Sequence, residues 1–354
     1  MSSTAVAQKS ISWVGMDVSA DTFDVCLYPL DCDPKTPSAL RRLAVGTFDR
    51  TEQGTREFLG GLSTDNPLHL VMESTGRYSS QLATWILELC PDVRVSIINP
   101  RRVSDHAKAL GMRSRTDPIC ARIIASYGAT FQPKPWNRSA PEYQELQAMT
   151  RVRQGLVEQC TAIKNQLGDL ARETLPKQRM ADLKLGLSSI EQALIEQIQH
   201  IEAQIEELLA THIELKADRD LADTIPGVGH VVAGTLMAEL GDVRRFGSRK
   251  QIEVYAGVNV SRRVSGRTIN KTLGLSKEGS SRVRRCLYLA AMGASRGDNA
   301  LARHYRQMVA RGKNKKCALG SVMRKILGIY RRVLISGRDY HDNLVEPRTQ
   351  GLKK

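Results

Sequence analysis

Ile11-Ser12-Trp13-Val14-Gly15-Met16-Asp17-Val18 is a nearly unbroken apolar run with one carboxylate near its end. A run of that length predicts strand material, and it ends at Asp17. Working outward, Phe23–Leu30 alternates apolar and polar residues as a second strand, and Arg42–Phe48 reads as a third after a loop. Thr51–Leu62 has helical spacing with Thr51 as its N-cap. Leu68–Met72 is a short buried-strand run closed by Glu73-Ser74-Thr75-Gly76, and Tyr78–Leu89 is a helix. Val93–Ile98 is a strand closed by Asn99-Pro100, and Arg101–Leu110 is another helix. Thr116 is a candidate cap for a helix from Asp117 to about Tyr127, with Pro118 at a tolerated early position. These segments predict an α/β layer structure.

Three strands, a helix, a strand, a helix, a strand and helices is the order of the ribonuclease H and RuvC-like nuclease fold. The expected fold class is therefore an α/β RuvC/RNase H-like N-terminal domain. A helical coiled-coil hairpin and a mostly α C-terminal domain follow it. Asp17 ends the first strand, Glu73 ends the fourth, and Asp117 opens the helix after the fifth. In such a sheet, adjacent strand ends bring these carboxylates together around divalent cations. Hard oxygen ligands suit Mg2+, and two such ions clamp a phosphodiester. Taken singly, each acid reads equally well as a cap at a strand end or helix start.

A second stretch, Thr224–Ala291, carries different chemistry. Thr224-Ile225-Pro226-Gly227-Val228-Gly229 runs into an apolar helix, Val231–Leu240. A Pro-Gly-x-Gly turn before a helix presents free backbone N–H groups, so Gly227 and Gly229 are candidate phosphate contacts. Next comes the turn-prone Arg262-Arg263-Val264-Ser265-Gly266-Arg267, then Lys271, Lys277, Arg282, Arg284 and Arg285. Guanidinium forks match phosphate oxygens, and a hydroxyl beside Gly among arginines is what a nucleophile attacking a phosphodiester needs. The plainer reading is a basic loop that holds nucleic acid, with Ser265 an ordinary turn residue.

Charge supports a polyanionic partner for this part of the chain. The 354 residues carry 52 Lys and Arg against 37 Asp and Glu, a net charge of +15. From Thr224 onward there are 27 Lys and Arg against 8 Asp and Glu, so residues 1–223 are slightly acidic. Aromatics are only 5%, which favours phosphate and shape recognition over a surface built from stacking platforms. The seven cysteines (26, 32, 90, 120, 160, 286 and 317) form no Cys-x-x-Cys pair, and the histidines have no metal-ligand spacing. Reduced thiols, no signal peptide and no membrane-spanning run lead to the expectation of a cytoplasmic protein without a membrane partner.

Ile225-Pro226-Gly227-Val228-Gly229, Ala238-Glu239-Leu240-Gly241-Asp242, Ala256-Gly257, Arg262–Gly266, Leu275-Ser276-Lys277 and Arg284-Arg285-Cys286-Leu287-Tyr288 resemble the C-terminal domain of one family. So do Gly312-Lys313 and Met323-Arg324-Lys325. It is the IS one-ten family of insertion-sequence transposases, also called DEDD transposases, whose relatives include the Piv invertase. Gly15-Met16-Asp17-Val18, Glu73-Ser74-Thr75-Gly76 and Arg115-Thr116-Asp117 resemble the family's first three acidic motifs. The resemblance implies a serine nucleophile at Ser265, with Ser261 the nearest rival, and Mg2+ at the acidic site. It also implies DNA donor and target partners and a non-coding bridge RNA. By the family's mechanism, Ser265 attacks a scissile phosphate while the acidic site of a neighbouring subunit stabilises the charge. One departure stands out: the family's fourth acid, three residues after the third, is Cys120 here, before Ala121-Arg122. A thiol is mostly protonated near neutral pH and is a poor ligand for magnesium.

Between the two regions, Leu156, Cys160, Ile163, Leu167 and Leu170 step by four and three residues. Leu194, Ile198, Ile201, Ile205 and Leu208 do the same, with Pro176 and Gly186 expected to break the run between them. The plainer expectation is an antiparallel helical hairpin that packs on itself; the sharper one is an oligomerisation arm for a homodimer or homotetramer. The expected domains are 1–137, RuvC-like; 138–222, the arm; 223–338, the basic serine-bearing domain; and a mobile tail from 339 to 354. The favoured reading is a transposase or site-specific recombinase. A RuvC-like junction nuclease, a DNA invertase, and a nucleic-acid-binding protein impaired by Cys120 are the alternatives.

Overall fold

A computed structural model describes residues 11–29, 37–62, 66–112, 116–265 and 269–344, with 261–265 and 269–273 described by backbone alone. The chain forms two compact units, Met1–Arg138 and Ser139–Lys354.

The first unit is built on a five-stranded sheet. Its elements are β1 (Ser12–Val18), β2 (Thr22–Tyr28), α1 (Pro37–Arg41), β3 (Gly46–Asp49), α2 (Glu52–Gly61) and β4 (Leu68–Glu73). These are followed by α3 (Arg77–Leu89), β5 (Arg94–Ile98), α4 (Pro100–Ala109) and α5 (Asp117–Phe131). Strand order is β3-β2-β1-β4-β5, with β1, β4 and β5 parallel and the β1–β2 and β2–β3 pairs antiparallel. Both faces are covered, which explains why β1 reads as continuously apolar. Val14, Met16 and Val18 pack with Phe58 of α2 and Leu82, Ala83 and Ile86 of α3. Trp13 and Val71 pack on the other face with Leu40 of α1, Val103 of α4 and Ile123 and Ile124 of α5. Each fully buried side chain of this size contributes about 1.5–3 kcal/mol.

Thr51 caps α2 as expected, its side chain accepting from the Gly54 N–H at 3.0 Å. The expected third strand is shorter, only Gly46–Asp49, and a helical turn, α1, precedes it because Leu40 there is fully buried under α5.

The second unit begins with α6 (Pro141–Leu170) and α7 (Lys177–Thr211), then α8 (Ile213–Asp223), α9 (His230–Leu240) and α10 (Arg249–Ala256). A ribbon of β6 (Val260–Ser265) and β7 (Ile269–Leu275) leads to α11 (Ser281–Arg296), α12 (Ala300–Ala310) and α13 (Lys315–Ser336). Helices α6 and α7 pair antiparallel. Arg153 with Glu202 at 2.7 Å and Lys164 with Glu191 at 3.6 Å fix the register, each pair stepping oppositely along the two helices. The helix break falls at 171–176 alone. Gly186 lies inside α7, its cost of roughly 1 kcal/mol absorbed by good helix formers around it. Of the two expected seams only Cys160, Ile205 and Leu208 are buried, because two helices cannot enclose a seam from all sides.

The base of the hairpin joins the second core. Leu146, Ile205, Leu208 and Leu209 pack with α9, α11 and α13, around the fully buried Leu236, Leu287 and Ile326. The start of the expected mobile tail is docked instead. The Tyr340 N–H donates to Thr224 Oγ1 at 3.0 Å, and Arg303 pairs with Asp342 at 2.7 Å.

Candidate active site and nucleic-acid interface

Strand register assembles the acidic side of the first unit. Met16 stands opposite Met72 in the parallel β1–β4 pair, so the next residues, Asp17 and Glu73, sit side by side at the strand ends. Side chains alternate along a strand, so Asp17 shares the face of Gly15, and Glu73 that of Val71, the face covered by α5. At Gly15 the helix comes very close. A Cβ there would stand 2.2 Å from both the Ala121 carbonyl oxygen and the Ala125 nitrogen. This contact lays the first turn of α5 along β1, and with it Asp117 and Cys120, three residues apart on one helix side.

The electrostatics follow from the crowding. Burial first, then Asp117 and Glu73, push the Asp17 carboxyl up to about 6, while a hydrogen bond with the Cys120 thiol acts the other way. Among the described residues, no three His, Cys, Asp or Glu side chains are drawn into a ready ligand set. The carboxylates share one electrostatic environment without meeting at a point. Their chemistry suits a hard divalent ion, and the raised Asp17 marks a place where a cation relieves repulsion.

A prediction follows for the metal-free protein. A carboxyl raised from 3.8 to about 6 contributes stability below pH 4 that is lost as pH rises through 6. In chelator, Asp17→Asn is expected to raise thermal stability at pH 7–8 by up to about 3 kcal/mol and to change little at pH 4. Equal effects at both pH values in a thermal melt would contradict the crowding.

In the second unit, the ends of the β6–β7 ribbon are clamped at its base. The Ser276 N–H donates to Asn259 O at 2.9 Å and the Lys277 N–H to Gly257 O at 3.1 Å. Ser261 lies at this base, beside an irregularity between Val260 and Arg262. Ser265 lies at the far end, opposite Ile269, about 13 Å along the strand from Ser261. Gly266 and Arg267 lie outside the described residues, and the side chains of Ser261, Arg262, Arg263, Ser265 and Lys271 are not described.

Several expected phosphate contacts have structural partners. Gly227 has φ +81°, and a Cβ there would stand 2.2 Å from the Ala290 carbonyl oxygen, so the turn needs glycine to pack on α11. Gly229 is the exposed N-cap of α9. Arg284 is half-buried and donates to the Gly279 carbonyl at 2.6 Å, and Arg285 pairs with Glu158 of α6. Glu239 is buried between Arg151 at 2.7 Å and the Ser280 hydroxyl at 3.1 Å, tying α6 to α9 and α11. Lys277 and Arg282 are exposed. The α12–α13 turn is a further basic surface, outside the expected contacts. There Arg311, Lys313, Lys315 and Lys316 are all exposed and make no ion pair among the described residues. The run of cations around Gly312 is the signal that identifies it.

No helix among the described residues is long and apolar enough to cross a membrane. Known proteins resemble this chain along nearly all of its length. A pilin gene-inverting protein of Moraxella bovis is 29% identical over 343 residues, covering 95% of this chain and all of that protein. The transposase for insertion sequence element IS1111A of Coxiella burnetii is 25% identical over 84% of this chain and 80% of its own length. The transposase for insertion sequence element IS1328 of Yersinia enterocolitica is 25% identical over 90% of this chain and 96% of its own. A family model described as a transposase, of the IS110 DEDD type, matches residues 14–176, which include Asp17, Glu73, Asp117 and Cys120. A second, described as the transposase IS116/IS110/IS902 family, matches residues 219–306, which include the β6–β7 ribbon. With both halves matched by the same group, the chain belongs to the IS110 family of transposases, enzymes that rearrange DNA.

Proposed function

We propose that this protein cuts and rejoins DNA by a phosphoserine route, with Ser265 as nucleophile, Asp17, Glu73 and Asp117 holding Mg2+, and a non-coding bridge RNA guiding it. In this reading the Ser265 hydroxyl loses its proton and bonds to the scissile phosphorus, and the bond to one deoxyribose oxygen breaks. That oxygen leaves with a proton. The serine ester conserves the bond energy, so a second strand end can displace it without an external energy source. When bound, the ion supplies positive charge beside a phosphate. The observation that carries the reading is the crowd of Asp17, Glu73 and Asp117 at one sheet end, with Asp17 pushed up to about 6. The bridge RNA rests on the family resemblance and on the basic charge of the chain from Thr224 onward.

The test is an end-labelled DNA substrate incubated with protein, Mg2+ and the RNA encoded beside the gene, then denatured. Label migrating with the protein supports the serine route. Free ends without an adduct favour a junction nuclease working through water. Cys120 at the fourth acidic position favours a second reading, binding without strand breakage, which predicts intact DNA in a stable complex. We further propose a homodimer or homotetramer through the α6–α7 arm, supported by its half-open seam and by Leu183, Leu185 and Ile190, all about half exposed or more.

The partner surface makes its own prediction. If Arg311, Lys313, Lys315 and Lys316 contact phosphates, replacing all four by Gln flattens the dependence of log K on log salt by roughly 3–4 on duplex DNA. Arg284→Ala, by contrast, is expected to lower stability with little effect on the slope. Titration by fluorescence anisotropy at several salt concentrations checks this; an unchanged slope for the fourfold variant moves the surface elsewhere.

A further inference from the structure

A further carboxylate, outside the acidic motifs, stands in the same row as the acidic site. Asp24 of β2 is the register partner of Asp17 across the antiparallel β1–β2 pair. Directly paired residues share a face, so Asp24, Asp17 and Glu73 form one row across three neighbouring strands. Cys26 and Tyr28, two and four residues on from Asp24, lie in the core against α5, which places the row on the α5 side. Adjacent strands are about 4.8 Å apart, so neighbouring side chains in such a row can reach a common ion.

Burial and bonding set Asp24 apart from an ordinary strand acid. It is only 7% exposed. Its one hydrogen-bond partner among the described residues is the Thr47 hydroxyl of β3, which donates at 2.5 Å from the paired position. No Lys or Arg forms an ion pair with it among the described residues. Buried charges are normally paired with opposite charge or coordinate metals. Its register partner is another carboxylate, Asp17, which Asp24 helps to push up. A buried acid that faces an acid and has no cation of its own has the surroundings of a ligand. Position 120, meanwhile, carries a thiol that hydrogen-bonds Asp17 and is poorly suited to a hard ion.

We propose that Asp24, oriented by Thr47, supplies the fourth carboxylate for the divalent cation of this acidic site, in place of the residue at 120. This inference rests on the reading of Asp17, Glu73 and Asp117 as a cation site and extends its membership. Asp24 also contributes to the repulsion that the ion relieves, so its removal has opposite effects on the free and loaded protein.

The experiment uses the full chain and two readouts without DNA: thermal melts in chelator, and Mg2+ and Mn2+ affinity by calorimetry. Asp24→Asn is expected to leave the chelated protein as stable or more stable, and to weaken divalent binding about tenfold or more. Thr47→Val is expected to weaken binding by a smaller factor. In the Asp24→Asn background, Cys120→Asp is expected to restore most of the lost affinity, because either position can then furnish the fourth carboxylate. If Asp17→Asn abolishes binding but Asp24→Asn leaves affinity unchanged, the inference is overturned while the acidic-site reading survives. A fall in chelated stability with unchanged affinity makes Asp24 a purely structural residue and also overturns it. No saturable binding by the wild-type chain overturns the acidic-site reading, and this inference with it.

Discussion

Ser265→Ala is expected to eliminate the protein–DNA adduct and to lower recombination by three orders of magnitude or more, the scale of losing a nucleophile whose partners cannot substitute for it. Ser261→Ala is expected to retain the adduct. The two serines are four residues apart, yet one lies at the clamped base of the ribbon and the other at its far end. Glu73→Gln is expected to suppress the same adduct by roughly a hundredfold or more if the acidic site stabilises charge in the serine step. The assay is denaturing electrophoresis of end-labelled DNA. Adduct formation that survives Ser265→Ala and disappears with Ser261→Ala would move the nucleophile to the base of the ribbon. Free cleaved ends, produced equally well by Ser265→Ala, would remove the serine mechanism altogether.

Gly15→Ala is expected to have the largest effect on stability of any single methyl group added to the first unit. The new Cβ would stand 2.2 Å from two backbone atoms of α5, and a helix backbone cannot swing aside as a flexible side chain does. Overpacking of this kind costs about 3 kcal/mol or more, a fall in melting temperature of roughly 10 °C for a unit of this size. Pushing α5 outward also carries Asp117 and Cys120 away from Asp17, so divalent binding is expected to fall with stability. Gly186→Ala is the control. Nothing lies within 4 Å of a Cβ there, and the site is interior to α7, so a gain of about 0.5–1 kcal/mol is expected. Thermal melts decide it: a Gly15→Ala protein within 1 kcal/mol of wild type would mean that α5 is not held against β1 as described.

Most of the first unit was legible in the chain itself because its signals are local. The apolar runs at β1, β4 and β5, the Thr51 cap and the carboxylates at strand ends need only near neighbours to be read. The charge imbalance toward the C-terminus, the family resemblance and the thiol at position 120 are likewise properties of the sequence alone. What was misread depended on partners elsewhere. Gly186 looked like a helix break because propensity counts against it, but packing along α7 outweighs a cost of about 1 kcal/mol. The β6–β7 ribbon looked like a basic loop because strand pairing is a relation between two segments, invisible in either one. Nor does the chain alone show that Arg284 and Arg285, expected phosphate contacts, also have protein partners, a carbonyl five residues away for one and Glu158, 127 residues away, for the other. Asp24 was passed over because its spacing from Asp17 along the chain carries no motif. Only the hairpin register sets the two carboxylates side by side on one face of the sheet, where buried Asp24 forms no ion pair with a Lys or Arg among the described residues.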